Sequence, residues 1–411
     1  MSTLAINAGS SSLKFGLFSD ETCERLVSGE IDWADGNRNQ AQLIIQPRQG
    51  TPVCSRLSVT DDSTAAACAI QAVLGAAISA TNGSEAITAV GHRIVHGGAE
   101  FRASVLIDNK VKAAIARLSD LAPLHNPPAL KAIEAAEAAL PAKPQVAVFD
   151  TAFYAHLPPK AYLYPVPYGW LQNWGIRRFG FHGISHAYCA SHAAKMVGRD
   201  LARLRIITCH LGGGCSATAV RGGIAVATTT GFSPLEGLMM GTRCGSIDPG
   251  ILLHLQRQQA LTAQELDRAL NRSSGLLGVS GVSADLAQIE VAAAQGNQRA
   301  ALAFDMFADR VRSSIGALAT ALGGVDAITF TDRIGERSVA LRAAVCEGLQ
   351  FMGVRIDPQL NAIVRQDADI AATDSPARVL VIHTEEELMV AREVHRVVGR
   401  QWTCLDSSAC M

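Results

Sequence analysis

The sequence predicts an α/β protein built from two related halves. A strand, tight polar turn and strand open the chain, and the same design returns at residues 205–220. Short apolar strand runs alternate with helical patterns elsewhere, one of them ending in a carboxylate, as in open α/β sheets. A chain of 411 residues has room for one large or two ordinary domains. Two strand–turn–strand units about two hundred residues apart suggest a duplication, with a phosphate-binding hairpin on each wall of a cleft between the copies.

The first unit runs from Leu4 to Phe18. An apolar run ends in Asn7-Ala8-Gly9, then Ser10, Ser11, Ser12 and Lys14 lead into a second apolar run. Three hydroxyls, several backbone N–H groups and one ammonium suit a phosphate, which wants several donors and positive charge at close range. The G-x-x-x-x-G-K-[ST] pattern is absent and Lys14 leads into a strand, so this is no Walker A loop. On these residues alone an ordinary serine-rich hairpin is the simpler reading; the rest of the chain overturns it.

Hydrophobic residues make up 48% and charged ones 18%, which fits a globular protein with a large core. The 36 basic and 37 acidic residues leave a formal net charge of -1, so no basic field points to nucleic acid or an anionic membrane. Ten single cysteines without a C-x-x-C pair point to reduced thiols in a cytoplasmic protein, not to a zinc site or disulfide framework. No signal peptide is evident. The most apolar run, residues 65–79, reads as a buried helix too short to span a bilayer.

Leu43 to Gln46 and Leu57 to Thr60 read as strands, and Ala65 to Ala80 as a helix. The stretch from Ala89 to Gly98 is a strand ending near Arg93, either a structural ion pair or an anion clamp. A helical pattern over 119–138 is broken at Leu124-His125-Asn126-Pro127-Pro128. Val146 to Phe149 is a buried strand with Asp150 at its C-terminal end, where ligands collect in α/β sheets; a cap on the next turn is the alternative. A domain crossing is placed near Tyr162 to Tyr168. Residues 177–186 open a helix through about Val197, with His182 between Phe181 and Gly183.

The second unit, Arg205 to Val220, holds Gly212-Gly213-Gly214, where no Cβ keeps a ligand from the backbone. Residues 231–250 are too rich in glycine and proline for a regular element, and such a loop in a compact domain is usually functional. Arg243 lies there between Gly241 and Gly245. Gly275 to Val282 is another glycine-rich turn, followed by helices over 283–294 and 300–322 and a strand at 327–330. Val379 to Ile382 is a strand before the last helix. Thr384 and Glu387 fit a capping box, leaving Glu386 available. No nucleophile–base pair stands out. Arginines, an imidazole and a metal-holding acid are the toolkit of phosphoryl transfer, which needs positioning and positive charge around the equatorial oxygens.

The chain resembles the acetate kinase family over nearly its whole length. The matching motifs are Asn7-Ala-Gly-Ser-Ser-Ser-Leu-Lys14, Gly91-His-Arg-Ile-Val-His-Gly-Gly98, Phe149-Asp-Thr-Ala-Phe153, Gly180-Phe-His-Gly183, His210-Leu-Gly212, Pro234-Leu-Glu-Gly-Leu-Met-Met-Gly-Thr-Arg243 and Thr384-Glu-Glu-Glu-Leu388. The resemblance implies two similar actin-like, ribonuclease H-like domains around a central cleft: residues 1–151 with a helix returning at about 388–411, and residues 152–387 carrying most of the nucleotide site. It implies a homodimer that transfers phosphate reversibly between ATP and acetate, with Mg²⁺ or Mn²⁺ and no nucleic-acid or membrane partner. By the same resemblance Arg93 binds the substrate carboxylate, Asp150 orients or deprotonates it, and His182 and Arg243 stabilise the transferring phosphoryl group. Asn7 and Glu386 serve the metal. Val95, Leu124, Phe181 and Pro234 form a small apolar pocket favouring acetate, although one methylene is worth only about 1–3 kcal/mol there. Ser10, Ser12, Lys14 and the segment His210, Leu211, Gly212, Gly213, Gly214 take the ATP phosphates. Asp285, Leu286, Ala287, Arg333, Ile334, Gly335, Glu336 and Arg337 hold the nucleoside.

The departures cluster, most of them at that nucleoside site. The family's His-Leu-Gly-Asn-Gly has Gly213 at the Asn position, its Phe-Thr-Gly-Gly-Ile-Gly-Glu-Asn reads Phe330-Thr-Asp-Arg-Ile-Gly-Glu-Arg337, and its Asp-x-Arg ends in Ala287. Either Arg333 and Arg337 swing to solvent or stack on adenine and ATP still binds, or Arg333 fills the adenosine slot and the donor is a smaller polyphosphate such as pyrophosphate. A catalytically silent ligand-binding paralogue is a third expectation, opposed by the intact Arg93, Asp150, His182, Arg243 and Glu386.

Overall fold

Ser2–Ala8 (β1) is buried at every position and pairs antiparallel with Ser12–Ser19 (β2), from Ser2 opposite Ser19 to Ala8 opposite Leu13. The Gly9 N–H donates to the Ser12 carbonyl at 2.8 Å and closes the turn. The structure is a computed structural model describing residues 2–9, 12–32, 41–48, 50–81 and 87–399. Ser10, expected on a phosphate, lies outside the described residues.

The meander continues antiparallel through Arg25–Asp32 (β3), Ala41–Pro47 (β4) and Val53–Leu57 (β5). Across β1, Ile87–Ile94 (β6) joins parallel; Val105–Leu106 (β7) is the far edge, pairing antiparallel with Gln145–Phe149 (β8), itself parallel to β6. The first sheet therefore runs β5-β4-β3-β2-β1-β6-β8-β7. The second is built from Arg205–Leu211 (β9), Cys215–Arg221 (β10), Ile224–Thr228 (β11), Ala327–Thr331 (β12), Ala368–Asp369 (β13) and Arg378–Val381 (β14), in the order β11-β10-β9-β12-β14-β13. In both, an antiparallel meander offers its first strand to a parallel partner, and a second parallel strand follows. The repeated plan and the α/β class are those expected from the sequence.

The chain divides into two compact units, Met1–Ala155 with Glu385–Met411, and His156–Thr384. In the first, Ala65, Ala66, Ala69 and Ile70 pack with Ala132 and Ala136 of helix Asn126–Ala139 over the apolar faces of β1 and β2. Helix Glu386–Val397 lies against β6. An added Cβ at Gly91 would come 2.5 Å from Val394 and 2.6 Å from Val390, so only glycine permits that approach. In the second, Gln298–Leu322 sends Ala303, Phe307, Val311, Ile315 and Leu318 into a core shared with β9, β10 and β12.

Several local expectations are corrected. Residues 53–57, not 57–60, form β5. Gly275–Ser280 is a short helix rather than a turn, its left-handed Gly275 packed against the Met240 carbonyl. Asp332–Arg337 is also helical. The Thr384–Glu387 capping box does not form, because the last helix begins at Glu386 with Glu385 at its N-cap, leaving the buried Thr384 hydroxyl without a hydrogen bond. Among the described residues seven cysteines are free, whereas Cys23 is disulfide-bonded, which corrects the expectation of reduced thiols throughout. No helix among the described residues is long and apolar enough to cross a membrane.

Candidate active site

In the second unit, two chemistry-bearing side chains, His182 and Arg243, meet at the tip of the β9–β10 hairpin. The Gly212 N–H donates to the Gly214 carbonyl at 3.1 Å, and nothing lies within 4 Å of a Cβ placed on Gly213. A Cβ on Gly214 would stand 3.1 Å from His182 Nε2 and 3.7 Å from an Arg243 nitrogen. Glycine here lets an imidazole and a guanidinium close on the backbone.

Each of those groups is aimed by its surroundings. His182 sits at the N-cap of helix Gly183–Met196 with a left-handed φ of 56°. Its Nδ1 is 2.7 Å from Ser216 Oγ, which is 2.7 Å from His186 Nε2, and His186 Nδ1 reaches Thr208 Oγ1 at 2.6 Å. Burial, helped by the nearby His210, holds the His186 pKa well below its ordinary value, so that ring is neutral. His182 also stacks on His210 with ring centres 4.2 Å apart. Arg243 donates to the Pro234 carbonyl at 3.0 Å. Burial lowers its pKa, yet a guanidinium keeps its charge. The Arg243 loop is itself fastened: Glu236 accepts from Arg178 at 2.6 Å and from Tyr164, whose hydroxyl accepts from the Phe232 N–H at 2.8 Å.

In the first unit, β6 and β8 are parallel neighbours, so the residues at their C-terminal ends meet. Arg93 donates through NH2 and Nε to Asp150 Oδ2 at 2.7 and 3.2 Å, and through NH1 to Asn7 Oδ1 at 3.0 Å. Glu386 Oε2 lies 3.5 Å from Arg93 NH1 and accepts from Asn7 Nδ2 at 2.9 Å; Glu387 accepts from the same amide at 3.4 Å. Asp150 is wholly buried and opens the short helical turn Asp150–Tyr154. Burial opposes the charge on Arg93, but Asp150 and Glu386 outweigh it and raise its pKa. The donors here are amide and carboxylate oxygens, which suit a hard divalent cation. Among the described residues no three acids, histidines or cysteines gather closely enough to hold an ion alone. Such a cation would lean on phosphate oxygens and water, which is the usual habit of Mg²⁺; the residues therefore fit it.

The remaining expected residues fall in several places. Ser12 and Lys14 open β2, with Lys14 opposite Asn7. Val95 is buried and Leu124 exposed in the first unit; Phe181 is buried and Pro234 half-buried in the second. Leu211, Leu286 and Ile334 belong to the apolar core, so only their backbone can face a ligand. Asp285 caps helix Leu286–Ala294 through the Ala287 N–H at 3.0 Å and pairs with Arg333 at 3.5 Å. Gly335 follows Ile334 on the short helix, Glu336 binds His383 Nδ1 at 2.9 Å, and Arg337 is exposed.

Sequence reasoning missed Ser216, Glu387 and Asp332. Strand alternation could have placed Ser216 beside His210, its partner in register. The capping-box pattern disguised Glu387. Asp332 Oδ2 lies 3.3 Å from His210 Nε2, and a Cβ on Gly212 would overlap its carboxylate.

The chain matches the Acetokinase family profile over residues 2–392. It is 50% identical over 404 residues to an acetate kinase of Gloeobacter violaceus, covering 96% of this chain and 98% of that one. Among solved structures, an acetate kinase of Porphyromonas gingivalis aligns with a TM-score of 0.86 at 38% identity, over 97% of this chain and 99% of that one. A propionate kinase of Francisella tularensis aligns with a TM-score of 0.87 at 34% identity, over 96% and 99%. With a glycine hairpin, a guanidinium and an imidazole at one tip and an arginine–carboxylate cluster at paired strand ends, the chain belongs to the acetokinase family, phosphotransferases whose acceptor is a carboxyl group.

Proposed function

We propose that the protein transfers the γ-phosphoryl group of ATP to acetate in line, giving acetyl phosphate and ADP. The observation that carries this is the placing of Arg243 and His182 over Gly214. A phosphoryl group seated at that tip would have a guanidinium and an imidazole against its equatorial oxygens, where negative charge is spread in the transition state. Ser216 and His186 keep the His182 ring from turning away.

Arg93 binds the acetate carboxylate, exchanging part of its contact with Asp150, and Asp150 orients the attacking oxygen. Val95 and Leu124, in the unit that carries Arg93, give the acetate methyl apolar surface. Asn7 and Glu386 would hold Mg²⁺, with Glu387 beside them, and the ion would supply positive charge to the phosphate oxygens. Mn²⁺ would suit the same oxygens. The working form is a cytoplasmic homodimer, a reading supported by family membership.

The test is acetyl phosphate formation from acetate, trapped as the hydroxamate, with MgATP or pyrophosphate as donor. ATP-dependent turnover is expected, and Arg243→Ala should lower kcat about 100- to 1000-fold, the usual cost of losing one transition-state donor. Arg333→Gly should leave the donor unchanged, because Arg333 is drawn to Asp285. Turnover with pyrophosphate alone would replace ATP in this reading, and turnover with neither donor would end it.

A further inference from the structure

We propose that Asp332 limits the affinity for the polyphosphate donor, its carboxylate standing in the glycine cradle that receives the phosphates. The inference rests on the reading of the Gly212–Gly214 tip as a phosphate site. It concerns a residue that the chemistry of such a site would not select. A phosphate cradle is built from N–H donors and positive charge, whereas an ionised carboxylate only accepts and repels the incoming anion.

Three observations place Asp332 there. Its φ is +63°, a left-handed backbone that side chains rarely adopt and glycine adopts freely. That backbone turns the side chain onto Gly212: the three nearest atoms to an added Cβ all belong to the Asp332 carboxyl group. The carboxylate is also anchored, with Oδ2 3.3 Å from His210 Nε2, while His210 Nδ1 is 2.9 Å from Ser185 Oγ. The imidazole is thus held at both nitrogens. The Asp332 side chain keeps about a third of its surface exposed, so it faces the side from which a ligand arrives.

The two anions compete for one place. A phosphate chain that settles on the glycines either pushes Asp332 off His210 or binds beside a like charge, and both weaken it. In the family's pattern a glycine stands at this position, so Asp332→Gly restores a residue suited to the backbone. Asp332→Asn keeps the shape and removes the charge. The expected result, by titration calorimetry with MgADP and with inorganic tripolyphosphate, is tighter binding by about tenfold in Asp332→Gly, with most of that gain in Asp332→Asn. The gain should shrink as ionic strength rises, since exposed charges are screened. KM for ATP should fall while KM for acetate stays put. Equal or weaker binding in both variants, with native circular dichroism, overturns the proposal while leaving the phosphate site standing. If the unaltered protein binds neither ligand, the phosphate-site reading falls and this inference with it.

Discussion

In this chain a single carboxylate stands where a side chain on residue 212 would go. Gly212 has no left-handed backbone, so alanine would fit its φ and ψ without strain. The three atoms that alanine would meet first all belong to the Asp332 side chain. Gly212→Ala should therefore cost about 1–3 kcal/mol in the unaltered chain, as the carboxylate is forced off His210. In an Asp332→Gly background the same change should cost less than about 1 kcal/mol, a coupling expected only for residues in contact. Urea unfolding of the four proteins measures it; equal costs in both backgrounds would place the obstacle elsewhere. Gly214 differs, since its would-be neighbours are the His182 ring and Arg243. Substitution there should act on turnover as well as stability.

The elements that carry these residues are held by groups with no part in the chemistry. Arg342 is wholly buried, and among the described residues no acid forms an ion pair with it. Instead it donates to the carbonyls of Gly335 and Glu336 at 2.9 and 2.7 Å, and to the side-chain and main-chain oxygens of Asn361 at 2.7 and 3.1 Å. Burial brings its pKa down to about 10, still charged at neutral pH. Arg342→Met strips those carbonyls of their donor and should cost about 2–4 kcal/mol. Hydrogen exchange should quicken across 332–342, and KM for ATP should rise more than KM for acetate. Unchanged exchange in that segment would mean that Arg342 does not fasten it. The elements also mark how far the sequence could be read. Arg93 and Asp150 were legible because each ends a strand, and the parallel pairing of β6 and β8 brings such ends together. Helix Gly275–Ser280 was not, because its glycines mimic a turn. Asp332 was not, because a left-handed φ is a property of the folded backbone that residue type does not announce. Glu387 was hidden by a capping pattern that the helix start at Glu386 bypasses.

At the scale of the whole molecule, each compact unit buries a histidine that must stay neutral. His92 in the first is buried with Nε2 2.7 Å from Gln145 Oε1, and burial pushes its pKa down to about 4 against the weaker upward pull of Gln145 and Glu137. His186 in the second is shifted the same way by burial and by His210. An unfolded histidine titrates near 6.5, so between about pH 6.5 and 4 the unfolded chain binds protons that the folded chain refuses. Stability is then fully present above pH 6.5 and declines as the pH falls through 4, by at most roughly 3 kcal/mol from His92, with His186 adding in the same direction. Asp20 strengthens the trend at lower pH. Burial raises its pKa, but hydrogen bonds from His395, Thr88 and Thr3 outweigh that and hold it below the ordinary value, so its contribution is lost on protonation. Urea midpoints measured from pH 7.5 to 4.5 should fall, steepening below 6.5, and His92→Gln should flatten part of that slope whatever it does to stability at pH 7.5. A midpoint that stays level across this range would show that both imidazoles reach water, and so that the two cores are looser around them than the structure has it.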